Sequence, residues 1–118
     1  MRHPQGAIAK RITEVGEDAI CTSIIIAAEL CYGAAKKGSE RLTRQLDAIL
    51  SRLAVLSLDA PMHEAYAAIR THLERAGTPI GGNDLLIAAQ ARSLCLTVIT
   101  ANVGEFSRVP DLAIETWL

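Results

Sequence analysis

Two acids of this chain stand in apolar surroundings. Asp84 lies at the head of Gly81-Gly82-Asn83-Asp84-Leu85-Leu86-Ile87-Ala88-Ala89, a segment that reads as a helix apolar on nearly every side. Glu29 sits inside a second apolar helix, Ile24-Ile25-Ile26-Ala27-Ala28-Glu29-Leu30. An ionised carboxylate taken out of water without a partner costs several kcal/mol or more. Two of them aimed at one interior cleft imply a cation between them. A strand-like run, Leu96-Thr97-Val98-Ile99-Thr100, then delivers Asn102 and Glu105.

Each of these residues also has a plainer reading. Asp84 can serve as a helix cap, since an acid in the first turn complements the helix dipole. Glu29 can be an exposed position on an amphipathic helix, although its flanks leave little polar face. Glu105 can be a loop acid or a cap, and Asn102 can make a turn by bonding its own backbone. Thr22, Ser23 and Thr100 can orient ligands from behind, with capping the simpler role for Ser23. Lys36, Lys37, Arg41 and Arg44 cluster at one helix junction, either as a solvated face or as a seat for RNA phosphates. His3, His63 and His72 show no metal-ligand spacing. Neither a Ser-His-Asp nor a Cys-His pattern is present, and Gly81-Gly82 lacks the Lys and Ser/Thr of a phosphate loop.

The elements that must position these groups follow from hydrophobic periodicity. The chain has 118 residues, half of them hydrophobic and only 3% aromatic, which predicts one domain with an Ala/Leu/Ile core. Net charge is −1, so no global positive field draws in nucleic acid and a local basic patch would be needed. No apolar run approaches the length of a membrane span, and the N-terminus lacks a signal-peptide core. Cys21, Cys31 and Cys95 are too far apart for a metal motif; free thiols in a reducing cytosol, packed as small core residues, are expected. Helices are predicted over 5–15, from Ser23 to about Lys36, over 42–53, from Asp59 with Pro61 in the first turn to Gly77, and over 83–94. Short strands are predicted at 19–21, 54–58, 96–100 and 112–115. Helices alternating with short apolar strands make an α/β domain with a short parallel sheet flanked by helices in three layers. Ligands gather at the carboxyl ends of such strands.

In this order and spacing the residues resemble a PIN domain of the VapC-type toxin group. The matching pieces are Ala28-Glu29-Leu30-Cys31-Tyr32-Gly33, then Pro79 to Ala89, then Val98-Ile99-Thr100-Ala101-Asn102-Val103-Gly104-Glu105-Phe106, and a closing Val109-Pro110 with Glu115-Thr116-Trp117. The resemblance implies a Mg²⁺- or Mn²⁺-dependent ribonuclease, a cytoplasmic toxin held inactive by a paired antitoxin, usually a homodimer, with structured RNA such as transfer RNA as substrate. It implies Glu29 and Asp84 as direct metal ligands, with Asn102 and Glu105 completing the shell, and Glu29, Asp84 and Glu105 as the catalytic acids. Such an ion takes oxygen ligands, acidifies a bound water and polarises a phosphodiester oxygen. The family opens with a strand ending in an Asp-Thr-Asn-type motif. No Asp precedes Asp18 here, and Asp18 stands before a strand, so residues 1–118 read as a single PIN-like domain that is incomplete at its N-terminus. An upstream start, a shortened product or a strand lent by another protomer would each account for this, the first being our expectation. A shortened form acting as an antitoxin-binding or self-association module is the alternative to an enzyme.

Overall fold

The computed structural model describes residues 4–16 and 19–116. The chain divides into two compact units between Ser57 and Leu58. Asp18, His3 and Trp117 lie outside the described residues.

The first unit runs α1 (Pro4–Val15), β1 (Cys21–Ser23), α2 (Ile24–Lys37), α3 (Glu40–Ser51) and β2 (Ala54–Leu56). Strands β1 and β2 pair in parallel, with Cys21 opposite Ala54, Thr22 opposite Val55 and Ser23 opposite Leu56. The first strand starts two residues later than the sequence suggested. The reason is a turn: the Ala19 N–H is spent on the Gly16 carbonyl at 3.1 Å, so Ala19 cannot join a ladder. Ser23 closes β1 and caps α2 at once, its buried hydroxyl accepting from the Ile25 N–H at 3.1 Å. Helix α2 stops at Gly38, whose φ of 65° is the left-handed conformation that ends helices, and its N–H returns to the Ala34 and Ala35 carbonyls. One residue later Ser39 caps α3 through the Leu42 N–H at 3.1 Å. Helices α2 and α3 pack together, and Ala27 and Ala34 of α2 are buried. The expected apolar stripe of Leu42, Leu46, Ile49, Leu50 and Leu53 is only half-buried, and α3 contains no fully buried residue.

The second unit runs α4 (Met62–Ala76), α5 (Gly82–Ser93), β3 (Val98–Ile99), α6 (Val103–Phe106) and β4 (Ile114–Glu115). Its core is dense. Helix α4 lays Met62, Ile69 and Leu73 against α5, which buries Leu85, Ile87, Ala88, Ala89, Gln90 and Ala91, while Val98, Phe106 and Val109 are buried beside them. Strands β3 and β4 are parallel, with Val98 opposite Ile114 and Ile99 opposite Glu115. The expected strand 96–100 shortens to two residues because the Leu96 N–H turns back to the Ala91 carbonyl at 2.8 Å and extends the end of α5. The cap position of α4 is Pro61, after a turn in which the Met62 N–H meets the Asp59 carbonyl at 3.0 Å; the sequence reading had placed Asp59 there. Helix α6, absent from the sequence reading, is one short turn around Glu105.

The α/β class, with short parallel strands flanked by helices, is as expected. All three thiols are free, but Cys31 and Cys95 are exposed and Cys21 half-buried, so the placing of the cysteines in the core is corrected. Among the described residues no helix is long and apolar enough to cross a membrane.

Candidate active site

The site is built from the start of α5 and the turn that enters α6, both in the second unit. Gly77, with φ of 72°, ends α4, and the chain passes through Thr78, Pro79 and Ile80 to Gly81, the cap residue of α5. A glycine has no side chain to cap with, so Asp84, in the first turn, is not the cap residue. It stands half-buried where the exposed N–H groups of α5 favour negative charge. On the other side β3 ends as the Thr100 N–H meets the Glu115 carbonyl at 3.0 Å, and the Thr100 hydroxyl then accepts the Asn102 N–H at 2.9 Å. That local bond turns the chain and sets Asn102 and Glu105 three residues apart at the head of α6.

Asn102 ties the two acids together. Its Nδ2 donates to Asp84 Oδ2 at 3.3 Å and to Glu105 Oε2 at 3.0 Å. Asp84 also hydrogen-bonds Glu105, and this carboxyl-to-carboxyl bond is the main cause holding Glu105 below its ordinary value. Partial burial works against it; the Gly81 N–H, the Asn102 amide and the charge of Arg108 add to it. Two ionised carboxylates at this separation repel, so a proton or a cation must lie between them. The two acids and the amide thus form one polar cluster. Asn102 turns its nitrogen to the acids; presenting its oxygen to an ion requires a half-turn of the amide.

The sequence does not single out Arg108, nor the backbone role of Gly81. Arg108 Nη1 donates to the Pro79 carbonyl at 3.0 Å and fastens α6 to the loop that carries Gly81. A backbone N–H and a backbone carbonyl leave no mark in a sequence. The one available signal was Arg108 itself, three residues after Glu105, a spacing at which opposite charges meet on a helix.

Glu29 belongs to the first unit. It is exposed on α2, six residues beyond the capping Ser23, and among the described residues it has no hydrogen bond or ion pair. Ala28, Leu30 and Cys31 beside it are exposed as well, so the apolar flanks that suggested burial lie at the surface. Among the described residues no three His, Cys, Asp or Glu side chains gather to hold a metal ion. The structure thus brings Asp84, Asn102 and Glu105 together within one unit and leaves Glu29 on the other.

A small α/β chain with paired acids at a helix N-terminus beyond a strand end is the architecture of a PIN-type nuclease. The PIN-domain profile matches residues 2–112. Ribonuclease VapC2 of Rickettsia felis is 38% identical over 117 residues, covering 98% of this chain and 87% of that protein. The tRNA(fMet)-specific endonuclease VapC of Salmonella typhimurium is 41% identical over 99 residues, 83% of this chain and 75% of that protein. Among solved structures, VapBC2 from Rickettsia felis bound to a DNA fragment from its promoter superposes with a TM-score of 0.80 at 35% identity, covering 97% of this chain and 96% of that one. The chain belongs to the PIN-domain family, in its VapC group of toxin–antitoxin ribonucleases.

Proposed function

We propose that this chain is a divalent-metal-dependent endoribonuclease that hydrolyses RNA phosphodiesters, with transfer RNA as the substrate class. The observation that carries the reading is the Asp84–Asn102–Glu105 cluster, in which two acids face each other and need a cation or a proton between them. The tRNA assignment is supported by the similarity to the Salmonella typhimurium enzyme. Asp84 and Glu105 would hold Mg²⁺ or Mn²⁺, with Asn102 beside them. When bound, the ion supplies a water acidified toward neutral pH and a Lewis acid for the phosphodiester oxygen.

The chain's own groups set the stage for that chemistry. Asp84 stands at the N-terminus of α5, and the Gly81 N–H helps to hold Glu105 in its negative form. Asn102 fixes the separation of the two acids, and Thr100 fixes Asn102. Arg108 pins the Gly81 loop, so that the acids are held before substrate arrives. We place the protein in the cytoplasm, as a homodimer restrained by a cognate antitoxin; free thiols accord with a reducing compartment.

The test is cleavage of a mixed transfer-RNA pool by the full chain, with Mn²⁺ or with EDTA, beside Asp84→Asn. Metal-dependent cleavage absent from Asp84→Asn is the expected result. A thermal melt with and without Mn²⁺ gives a second readout: ion at about a hundred times its dissociation constant stabilises the fold by roughly 2.7 kcal/mol. Intact folding with neither cleavage nor a Mn²⁺-dependent melt would overturn the reading.

A further inference from the structure

We propose that the turn between α2 and α3 is a docking surface for an RNA backbone, with Lys36, Lys37, Arg41 and Arg44 receiving phosphates and Tyr32 stacking on a base. The proposal rests on the ribonuclease reading above and names where its substrate is gripped.

Charge is segregated here. Residues 36–44 hold four cations against one acid, net +3, in a chain whose net charge is −1. All four cations are exposed. Lys36, Lys37 and Arg41 have no ion pair among the described residues, and Arg44 meets Glu40 only at 3.8 Å, the two side chains being 73% and 91% exposed. A contact of that kind is worth little and leaves the cation available.

Helix stability explains half of this cluster at most. Lys36 and Lys37 lie in the last turn of α2, where cations complement the helix dipole. Arg41 lies in the first turn of α3, where the dipole opposes a cation, so its presence calls for another cause. Beside these cations lies an open groove of about 380 Å³ lined by Ala34, Ala35, Gly38, Ser39 and Thr43 together with the Glu40–Arg44 pair.

The second observation is aromatic. Phe106 is buried, and Tyr66 is engaged by Arg70, which donates to its hydroxyl at 3.0 Å and sits 5.9 Å from its ring centroid. Tyr32 is 66% exposed and has no hydrogen bond or ring contact among the described residues. It precedes Lys36 by one helical turn, so ring and ammonium share a face of α2. An exposed aromatic flanked by uncompensated cations is what a nucleic-acid strand recognises, bases stacking while phosphates pair with the charges. Four uncompensated cations favour a polyanion, and the exposed ring beside them favours one that carries bases.

The experiment measures binding of a fluorescein-labelled transfer-RNA transcript by anisotropy across a salt series, in an Asp84→Asn background so that the RNA survives. The variant Lys36→Gln/Lys37→Gln/Arg41→Gln/Arg44→Gln changes exposed positions only, and its melting curve checks the fold. Each lost phosphate contact lowers the slope of log K against log salt by about 0.7 to 0.9, so a fall of about three units is expected. Tyr32→Ala is expected to weaken binding about tenfold at constant salt slope, with Tyr32→Phe restoring it. No RNA binding by the background protein, or a quadruple-variant slope changed by less than one unit, would overturn the proposal. If the slope holds while sedimentation shows a shift from dimer to monomer, the surface belongs to a second copy and the proposal also falls. A reduced slope in a protein whose unmutated form cuts no RNA would leave the docking surface standing and refute the nuclease reading; cutting with an unchanged slope would do the reverse.

Discussion

Helices α5 and α3 have the same length, twelve residues, and opposite fates. Helix α5 buries six residues, from Leu85 to Ala91, and carries Asp84 at its N-terminal end inside a mesh of hydrogen bonds. Helix α3 buries none, shows cations along its exposed side, and belongs to the unit whose acid, Glu29, is exposed. Positional accuracy and packing go together. A carboxylate on a helix sealed into a core is held still enough for Asn102 and Gly81 to meet it, whereas a carboxylate on a half-covered helix is free to accept whatever approaches.

The contrast is broken or sharpened first by stability. Ile69, fully buried in α4 against α5, should cost about 2–5 kcal/mol when changed to Ala. Leu46→Ala in α3 should cost about 1 kcal/mol or less, because half of that side chain already meets water. Chemical denaturation reads both, and equal losses would show α3 to be as well packed as α5. Next comes activity. Asp84→Asn should reduce RNA cleavage about a hundredfold or more with an unchanged melting temperature; full activity in Glu29→Gln would remove Glu29 from the catalytic acids that the family resemblance implies. Asn102→Ala, which removes the tie but neither acid, should cost roughly tenfold, about 1.4 kcal/mol, read as kcat at saturating RNA.

A smaller effect isolates one donor. A Cβ at Gly81 would meet nothing within 4 Å and its φ of −59° suits any residue, so Gly81→Ala should behave as the parent. Gly81→Pro fits the same φ but deletes the N–H that Glu105 uses, and should reduce activity a few-fold. The smallest effect concerns pH. Glu105 titrates below its ordinary 4.5 in the folded chain, so its contribution to stability is full above 4.5 and is lost as pH falls through the folded value. Melts of the parent and Glu105→Gln should therefore diverge slightly above pH 4.5 and converge in stronger acid.

Much of this was legible in the chain itself. The period of α4, the apolar run of α5, the capping Ser23 and the stop at Gly77 are local chemistry, and the structure has them where the residues indicate. Asp84, Asn102 and Glu105 were singled out by type and order, and the fold brings them within hydrogen-bond reach. The strand boundaries were not legible because backbone groups choose their partners by tertiary geometry: Ala19 and Leu96 look like strand residues, but their N–H groups are spent on turns. Helix α6 is too short to show a period. The exposed Cys31 and Leu30 were misjudged because an apolar helix signals burial without saying against what.

Ser23 has a consequence for how this chain tolerates change in length. It ends β1 and caps α2 with no residue between, so the strand's pairing register and the rotational phase of the helix are geared together. Glu29 sits six residues downstream of that gear. One residue inserted between them would swing its carboxylate about 100° around the helix axis, while leaving composition, charge and hydropathy almost untouched. The Gly77–Gly81 loop carries no such gearing to a strand. Insertions and deletions should accordingly be tolerated very unevenly along this chain, and a relative that differs in length between Ser23 and Glu29 would have to point a different side chain where Glu29 now points.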